Sequence, residues 1–310
     1  MKVTSKPVAP GSSLVRSVYT DAEYPKLKVD VRRWTWEQLR INAEGPLLRG
    51  ERVQGAYNSS SSRGSEFAGC EPAEAIRRMR DGWAEGVGKL SAALDSIAPQ
   101  TTDGQQQAMD VNGFHVCIGA YVAGDPECMF NFQEQPDAQP VISFVFQTSY
   151  SHGVSVQNTV NYAAALTSLV GELDARGVTT ALYGMSAHYT NSYGGQVSQL
   201  DLTPVREPGA PLDLSKVAFA MSAPMHRRIH FAAWESLEID PLMNSGPYGY
   251  NCDIADGRAQ FAREIVYAEY PGAIFLPWIG TLTRMGKREM TAQEFLDAMR
   301  ASVVASGFRF

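Results

Sequence analysis

The stretch Val141–Ile142–Ser143–Phe144–Val145–Phe146, followed by Gln147–Thr148–Ser149–Tyr150–Ser151, decides how the rest of the chain is read. Its first six residues are apolar with one interruption. A strand buried on both faces has this composition, because a parallel sheet is covered by helices on each side. The next five residues are polar and rich in hydroxyls, where such a strand would end. In open α/β sheets, ligands bind beyond the carboxyl ends of the strands. The stretch therefore predicts a central strand with a candidate binding loop at its end.

Downstream, a helix is expected over about 157–175, with Tyr162, Leu166, Leu169, Val170 and Leu173 on one face and Gly177 as a left-handed stop. Val178–Met185 reads as the next strand, residues 196–202 as an edge strand, and Val217–Met221 as a further buried strand. Ile229–Leu237 is expected to be helical and Ala273–Leu276 a late strand. Thr291–Ala305 reads as a closing helix, with Thr291 and Glu294 spaced for a capping box. Strands alternating with helices imply the α/β class, with a doubly wound, mostly parallel, Rossmann-like sheet over residues 111–310.

Upstream, residues 1–110 are expected to form a helical and extended N-terminal region. Residues 1–13 read as a flexible arm, from Pro7, Pro10, Gly11, Ser12 and Ser13. Leu27–Trp36 alternates as a half-exposed strand does, and Thr35 is placed to open a short helix. Residues 58–65 have the composition of a loop. From Pro72, an apolar stripe runs through Ile76, Met79, Trp83, Val87, Leu90, Leu94 and Ile97. Gly82, Gly86 and Gly88 fall inside it, so the helix is interrupted there or another backbone packs closely against it. Residues 111–122 read as strand-rich, ending in a Gly124–Asp125–Pro126 turn.

The chain has 310 residues, 44% hydrophobic and 19% charged, an ordinary globular composition. The net charge of −6 is uneven: residues 1–100 hold 15 Lys and Arg against 12 Asp and Glu, and the other 210 hold 12 against 21. Bulk attraction to nucleic acid or to an anionic membrane is thus not expected of the C-terminal part. Cys70, Cys117, Cys128 and Cys252 are widely spaced, which suggests neither a disulfide framework nor a zinc site. Without a secretory signal or an apolar run of membrane-spanning length, a soluble protein in a reducing cytoplasm is expected.

The strand and loop that open this reading resemble the ion-site loop of von Willebrand factor A (vWA) domains, written Asp-x-Ser-x-Ser. Ser149 and Ser151 hold the second and third positions, and Gln147 stands where the family has Asp. The resemblance covers roughly residues 138–306. It implies a metal site completed by a Thr from a second loop and often an Asp from a third. Mg²⁺ takes near-octahedral oxygen ligands, usually with one or two carboxylates, whereas Gln147 offers only a neutral carbonyl. The third loop, expected after Val217–Met221, reads Ser222–Ala223–Pro224–Met225–His226–Arg227–Arg228, with two cations and no carboxylate. The resemblance thus implies a degenerate ion site, without metal or cofactor. Taken together, the Gly82–Trp83 segment, the stretch from Gly119 to Met129 and this strand and loop resemble an uncharacterised family of bacteriophage proteins, which implies a host cytoplasm as the place of action.

Catalytic patterns fail one by one. His226 and His230 are four apart, but Arg227 stands where a zincin needs Glu. His115 and Cys117 with Cys128 lack the Glu and the Cys-x-x-Cys of a zinc deaminase. Ser149 and Ser151 lack a Gly-x-Ser-x-Gly elbow. Two cations at the start of a helix near His226 oppose the macrodipole, unless an anion, an acidic partner or water faces them. The expected function is therefore a non-catalytic adaptor that binds a protein partner, such as replication or transcription machinery, through Gln147, Ser149, Ser151, His152, Arg227 and Arg228. The alternative is a cofactor that binds single-stranded DNA and recruits a polymerase to it. Its Arg32 and Arg33 would face phosphates while Trp34 and Trp36 stack on bases. The competing reading of those four is two core tryptophans with solvated arginines.

Overall fold

The computed structural model describes residues 2–7, 15–20, 28–49, 68–97, 108–110, 115–116, 121–126, 129–131, 141–189, 197–236, 250–251, 253 and 260–308. Three strands lead the chain: β1 (Lys2–Pro7), β2 (Val15–Thr20) and β3 (Lys28–Arg33). Helices α1 (Trp36–Arg49), α2 (Pro72–Asp81) and α3 (Ala84–Leu94) follow. The short strands β4 (Ala108–Asp110), β5 (His115–Val116) and β6 (Met129–Asn131) form a small separate sheet. Next come β7 (Ile142–Gln147), α4 (Val156–Ala175), β8 (Thr180–Tyr189) and β9 (Val197–Arg206). Helix α5 (Leu214–Ala220) leads to a π-helical turn, Met225–His230, which runs into α6 (Phe231–Ser236). The chain ends through β10 (Tyr250–Asn251), α7 (Gln260–Glu269), β11 (Ile274–Phe275), α8 (Ile279–Leu282) and α9 (Ala292–Ala305).

The large sheet has the order β1-β2-β3-β9-β8-β7-β11, with β10 against β8. Its five inner and C-terminal strands, β3-β9-β8-β7-β11, are parallel at every pairing except β8 with β9. This is a mixed α/β sheet, and β7 lies inside it as its apolar run predicts. Alternation along the strands divides the core in two. Val145, Ala181, Tyr183, Met185, Leu200, Leu202, Val29 and Val31 face α7, through Ala262, Ile265 and Val266. Phe144, Phe146 and Leu182 face the opposite way, into a larger layer built from α1 to α6 and α9. Each fully buried side chain of this size contributes roughly 1.5–3 kcal/mol of transfer free energy.

Helix α4 carries that larger layer. Ser155 caps its start by accepting from the Asn158 N–H, and Tyr162, Leu166, Leu169, Val170 and Leu173 are buried along it. Gly177 takes φ 76° at its end. Helix α9 packs on α4 through an edge-to-face contact of Tyr162 with Phe295, 5.4 Å between centroids, and through the Arg300–Glu172 ion pair. The Thr291–Glu294 capping box forms as the spacing predicts.

Other expectations meet a different structure. Residues 217–221 are not a strand: Asp213 accepts hydrogen bonds from the Ser215 and Lys216 N–H groups and caps a helix, α5, through that apolar run. A short apolar run fits a buried helix as well as a strand, and here the cap decides. Strand β9 is internal rather than an edge, because β3 pairs with it on its far side. Residues 2–7, expected in a flexible arm, form β1 on β2. The stripe from Pro72 breaks at Gly82 (φ 90°), giving two helices, and a Cβ at Gly86 would fall 2.1 Å from the Trp83 ring. The break expected at these glycines thus holds at Gly82, whereas at Gly86 the close neighbour is a side-chain ring rather than another backbone. The boundary expected between residues 110 and 111 is crossed by the packing, since Trp34, Leu39, Ile76 and Leu90 share one cluster with Phe144 and Leu169. Residues 58–65 lie outside the described residues.

Candidate binding pocket beyond the central strand

The loop after β7 is held from within. The Gln147 side-chain amide donates to Ser149 Oγ at 3.0 Å, and the same Oγ accepts from the Ala187 N–H at 3.4 Å. Trp278 Nε1 donates to the Ser149 carbonyl at 2.7 Å, and the Tyr150 hydroxyl donates to the Met221 carbonyl at 3.0 Å. Gln147 and Ser149 are buried, while Ser151 is half-buried and its Oγ accepts from the Gly153 N–H. These residues therefore do not form an open cup of oxygens. Their hydroxyls and amide bind the loop to its neighbours, consistent with a buried polar group needing a partner. A second loop, 283–286, buttresses the far side. Arg284 and Met285 both have positive φ, 51° and 57°, and a Cβ at Gly286 would fall 1.9 Å from the Gly153 carbonyl oxygen. Such strain persists only where surrounding contacts over-determine it.

A polar stripe crosses the sheet below this loop. Arg32, Asp201 and Ser186 lie side by side on β3, β9 and β8, as the strand registers require. Asp201 is 0% exposed; it accepts from Trp34 Nε1 at 2.7 Å and sits 3.4 Å from Arg32 Nε. Ser186 Oγ and His188 Nε2 share a hydrogen bond of 2.8 Å. The π turn closes over the stripe. The His226 ring stacks on His188 at 5.3 Å and 11°, and Phe231 meets His226 edge-on. Burial, then His188, His230 and Arg227, hold His226 well below the usual imidazole range. Burial pushes His230 down to about 4, with Asp201 opposing and Arg32 adding to the shift. These imidazoles are neutral at pH 7.

The two arginines of the turn point apart. Arg228, 1% exposed, donates from Nε to the Cys70 carbonyl at 3.1 Å. Arg227, 7% exposed, lies over the Tyr150 ring at 5.4 Å. Burial lowers the pKa of both. Neither extends into water, although the sequence allows that. A π-helical turn is rare and is frequently found at functional sites.

Arg227 and Tyr150 line a pocket of about 380 Å³. It lies beyond the carboxyl end of β7, where ligands of open α/β sheets bind. Its walls are Arg78, Trp83, Glu85, Lys89 and Leu90 from α2 and α3, with His152, Val154, Ser155 and Val156 at the start of α4. Trp83 is fixed by Ser215 Oγ, which accepts from its backbone N–H at 2.7 Å, and by Arg78 over its ring at 4.7 Å. Arg78 pairs with Glu74, whose carboxyl Arg77 and Arg78 hold at about 2. Lys89 pairs with Glu85 at 2.6 Å.

Of the six residues expected to bind a partner, the structure brings His152 and Arg227 to the pocket, ties Gln147 and Ser149 into the interior, leaves Ser151 between, and turns Arg228 toward Cys70. Of the four residues of the nucleic-acid alternative, Arg32 and Trp34 are buried and Arg33 and Trp36 are half-buried. Trp34 is 2% exposed and Arg32 is beside Asp201; Arg33 pairs with Glu269; Trp36 Nε1 donates to the Met79 carbonyl and its ring meets Phe219 edge-on. Both readings of these four expected solvent-facing arginines, and the structure places them against carboxylates. The third loop, 222–228, follows a helix rather than a strand, so its vWA equivalence fails at that point. Tyr150 lines the pocket without having been expected to, and Ser186, His188 and Asp201 form the polar stripe beneath it. The period-two alternation Met185–Ser186–Ala187–His188 and Leu200–Asp201–Leu202 signals a polar stripe on one sheet face. Ser186 and His188 do not line the pocket. Among the described residues no group of three or more His, Cys, Asp or Glu is placed to hold a metal ion, and no helix is long and apolar enough to cross a membrane.

Residues 36–281 match the model of a family described as a domain of unknown function, DUF7192, and the chain belongs to that family. No curated protein and no solved structure matches it.

Proposed function

We propose that this DUF7192 chain is a non-catalytic interaction protein of phage origin. It works in the host cytoplasm and binds an acidic protein partner through the loops at the carboxyl end of its sheet. The domain reads as doubly wound and vWA-like, with a degenerate ion site that takes no metal. The observation that carries this reading is the cationic pocket just beyond β7, beside a loop whose hydroxyls are already engaged in internal hydrogen bonds. The strand order β9-β8-β7-β11 supports it, because strands taken as 3-2-1-4 place the reversal of winding at β7.

The test is a cross-linking pull-down from infected-host lysate with the wild-type chain and with Lys89→Glu and His152→Glu, both at exposed positions. One acidic protein should be captured by the wild type, lost with the charge-reversed variants and unaffected by EDTA. Equal capture by the variants, or loss of capture in EDTA, overturns the reading. A rise in melting temperature with Mg²⁺ or Mn²⁺ overturns its metal-free part, since a ligand that binds only the native state stabilises it.

A further inference from the structure

We propose that the loop 284–288 and the apolar wall beyond β7 together dock a short acidic segment of a partner protein, with one large apolar residue in the pocket and carboxylates on Arg284 and Lys287. The inference rests on the partner reading above and adds the form of the partner: an extended peptide rather than a folded face.

The charges point to the loop. Arg284 and Lys287 are exposed, and among the described residues neither side chain meets a carboxylate, a carbonyl or a ring. The neighbouring cations are already engaged: Arg78 by Glu74, Lys89 by Glu85, and Arg288 by Glu294 at 2.6 Å. Glu289 is exposed beside them, so the loop as a whole is only mildly cationic. What sets Arg284 and Lys287 apart is that nothing described answers their charge.

The backbone of this loop is strained around exposed side chains. Arg284, Met285 and Gly286 have φ 51°, 57° and 88°. Glycine takes such angles freely, whereas a Cβ makes them costly. Two large side chains stand there nonetheless, and Met285 is 48% exposed, so it adds little to the core. The turn is held firmly. The Met285 N–H donates to the Gly280 carbonyl at 2.7 Å, and the Arg288 N–H to the Thr283 carbonyl at 2.9 Å. From α4, the Asn158 and Asn161 amides donate to the carbonyls of Arg288 and Met290 at 3.0 and 2.7 Å. Strain of this kind clusters at ligand clamps, and a preformed surface loses less freedom on binding.

Loop and pocket form one surface. A Cβ on Gly153 would fall 2.9 Å from the Met285 carbonyl oxygen, and its neighbours His152 and Val154 line the pocket. Val156, also in the lining, is 62% exposed and two residues from Asn158. The pocket, about 380 Å³ with Trp83, Leu90, Tyr150 and Val154 in its wall, suits an apolar side chain and is too small for a folded domain. An extended segment advances about 3.3 Å per residue, so a heptapeptide is long enough to reach both parts. The rest of the chain disfavours a long polyanion: residues 101–310 hold 12 Lys and Arg against 21 Asp and Glu. A short segment with a few carboxylates is held near the loop alone.

The test measures fluorescence anisotropy of the purified chain with labelled Glu-Asp-Glu-Phe-Glu-Asp-Glu, whose central Phe serves either chain direction. Binding should be saturable and should weaken as salt rises. Replacing Phe by Ala, or every acid by its amide, should cost about tenfold or more. Arg284→Glu and Lys287→Glu should each weaken the peptide about threefold or more with the circular dichroism spectrum unchanged. Arg176→Glu, at the far end of α4, should not. Met285→Gly relieves a positive φ, so it should weaken the peptide without lowering the melting temperature. A lower melting temperature with unchanged affinity assigns Met285 to folding and overturns its role in docking. Equal binding of the acidic and amide peptides, no loss at Arg284 and Lys287, or no saturable binding overturns the inference. Tighter binding of labelled heptathymidylate than of the acidic peptide overturns it in favour of a nucleic-acid backbone. Failure of the peptide with an intact pull-down removes this inference alone, and a failed pull-down with intact peptide binding removes the infected-host partner alone.

Discussion

Two polar segments meet at the carboxyl end of β7, and they are buried by different means. The loop Gln147–Ser151 is uncharged, and its amide and hydroxyls find ordinary hydrogen bonds within the loop and to the neighbouring strand. The π turn Met225–His230 brings two arginines and two histidines inside. Neutral polar groups need only a partner of the right geometry, and the net contribution of each such bond is about 1 kcal/mol. Buried cations lose several kcal/mol of hydration each and demand compensation. Here the imidazoles stay neutral, Asp201 lies beside Arg32, and Arg228 rests on a backbone carbonyl. A neutral segment of this kind serves to position. A charged one held in place by the fold is where binding energy can be gained.

The sharpest way to break that contrast is at Asp201. An Asn there still accepts from Trp34 Nε1 but removes the countercharge from Arg32. Removing one partner of a buried ion pair typically costs about 3–5 kcal/mol. Asp201→Asn should therefore lower the urea unfolding free energy by roughly that amount at pH 7. A loss under about 1 kcal/mol would mean that the charged layer is already compensated elsewhere, and the contrast would fail.

Much of the neutral segment was legible in the sequence, because it follows from periodicity. The run 141–146 gives a two-sided strand, Gly177 ends α4, and Thr291 with Glu294 caps α9. The charged segment was not legible, for three physical reasons. The apolar run 217–221 fits helix or strand, and only the Asp213 cap resolves it. A π turn has no sequence period that distinguishes it from an α-helix, so neighbouring arginines at 227 and 228 were expected at the surface, facing a partner or water. The partners of those groups come from far along the chain: Cys70 for Arg228, Tyr150 for Arg227, Asp201 for His230. The same distance hid the role of Arg32, Arg33, Trp34 and Trp36, whose partners are Asp201, Glu269 and Met79. A basic, aromatic stretch reads as a nucleic-acid platform until its carboxylates are known.

Acid sharpens the contrast with a smaller effect. His226 faces His188, His230, Arg227 and Tyr150, while His230 faces Asp201 and Arg32. Both imidazoles have lowered native pKa values, so the unfolded chain binds protons before the native one does. Their contribution is complete above about pH 6.5 and is lost as pH falls toward the native value, about 4 for His230. Stability should therefore drop by up to about 3 kcal/mol for His230 between those limits. This window lies above that of Glu74, held at about 2. Urea titrations across pH 7 to 4.5 read the slope directly. His230→Asn should flatten it, and a wild-type profile that is flat above pH 4.5 would show that the turn tolerates protonation.

The smallest effect belongs to the neutral segment and is the control for the other two. Ser149 Oγ accepts from the Gln147 amide and from the Ala187 N–H, at 3.0 and 3.4 Å. Ser149→Ala removes that acceptor and leaves both donors in the interior. The Gln147 amide keeps a longer contact to the Ser149 carbonyl at 3.4 Å, and the Trp278 bond to that carbonyl at 2.7 Å does not depend on the side chain. The loop should therefore keep its course, and the cost should be about 1–2 kcal/mol, independent of pH between 7 and 4.5 because none of these groups titrates there. A loss as large as that of Asp201→Asn would place the weight of the site on the neutral loop instead. A loss that grows as pH falls would mean that the hydroxyl is coupled to the histidines through Ser186 and His188, and the two segments would then form a single network.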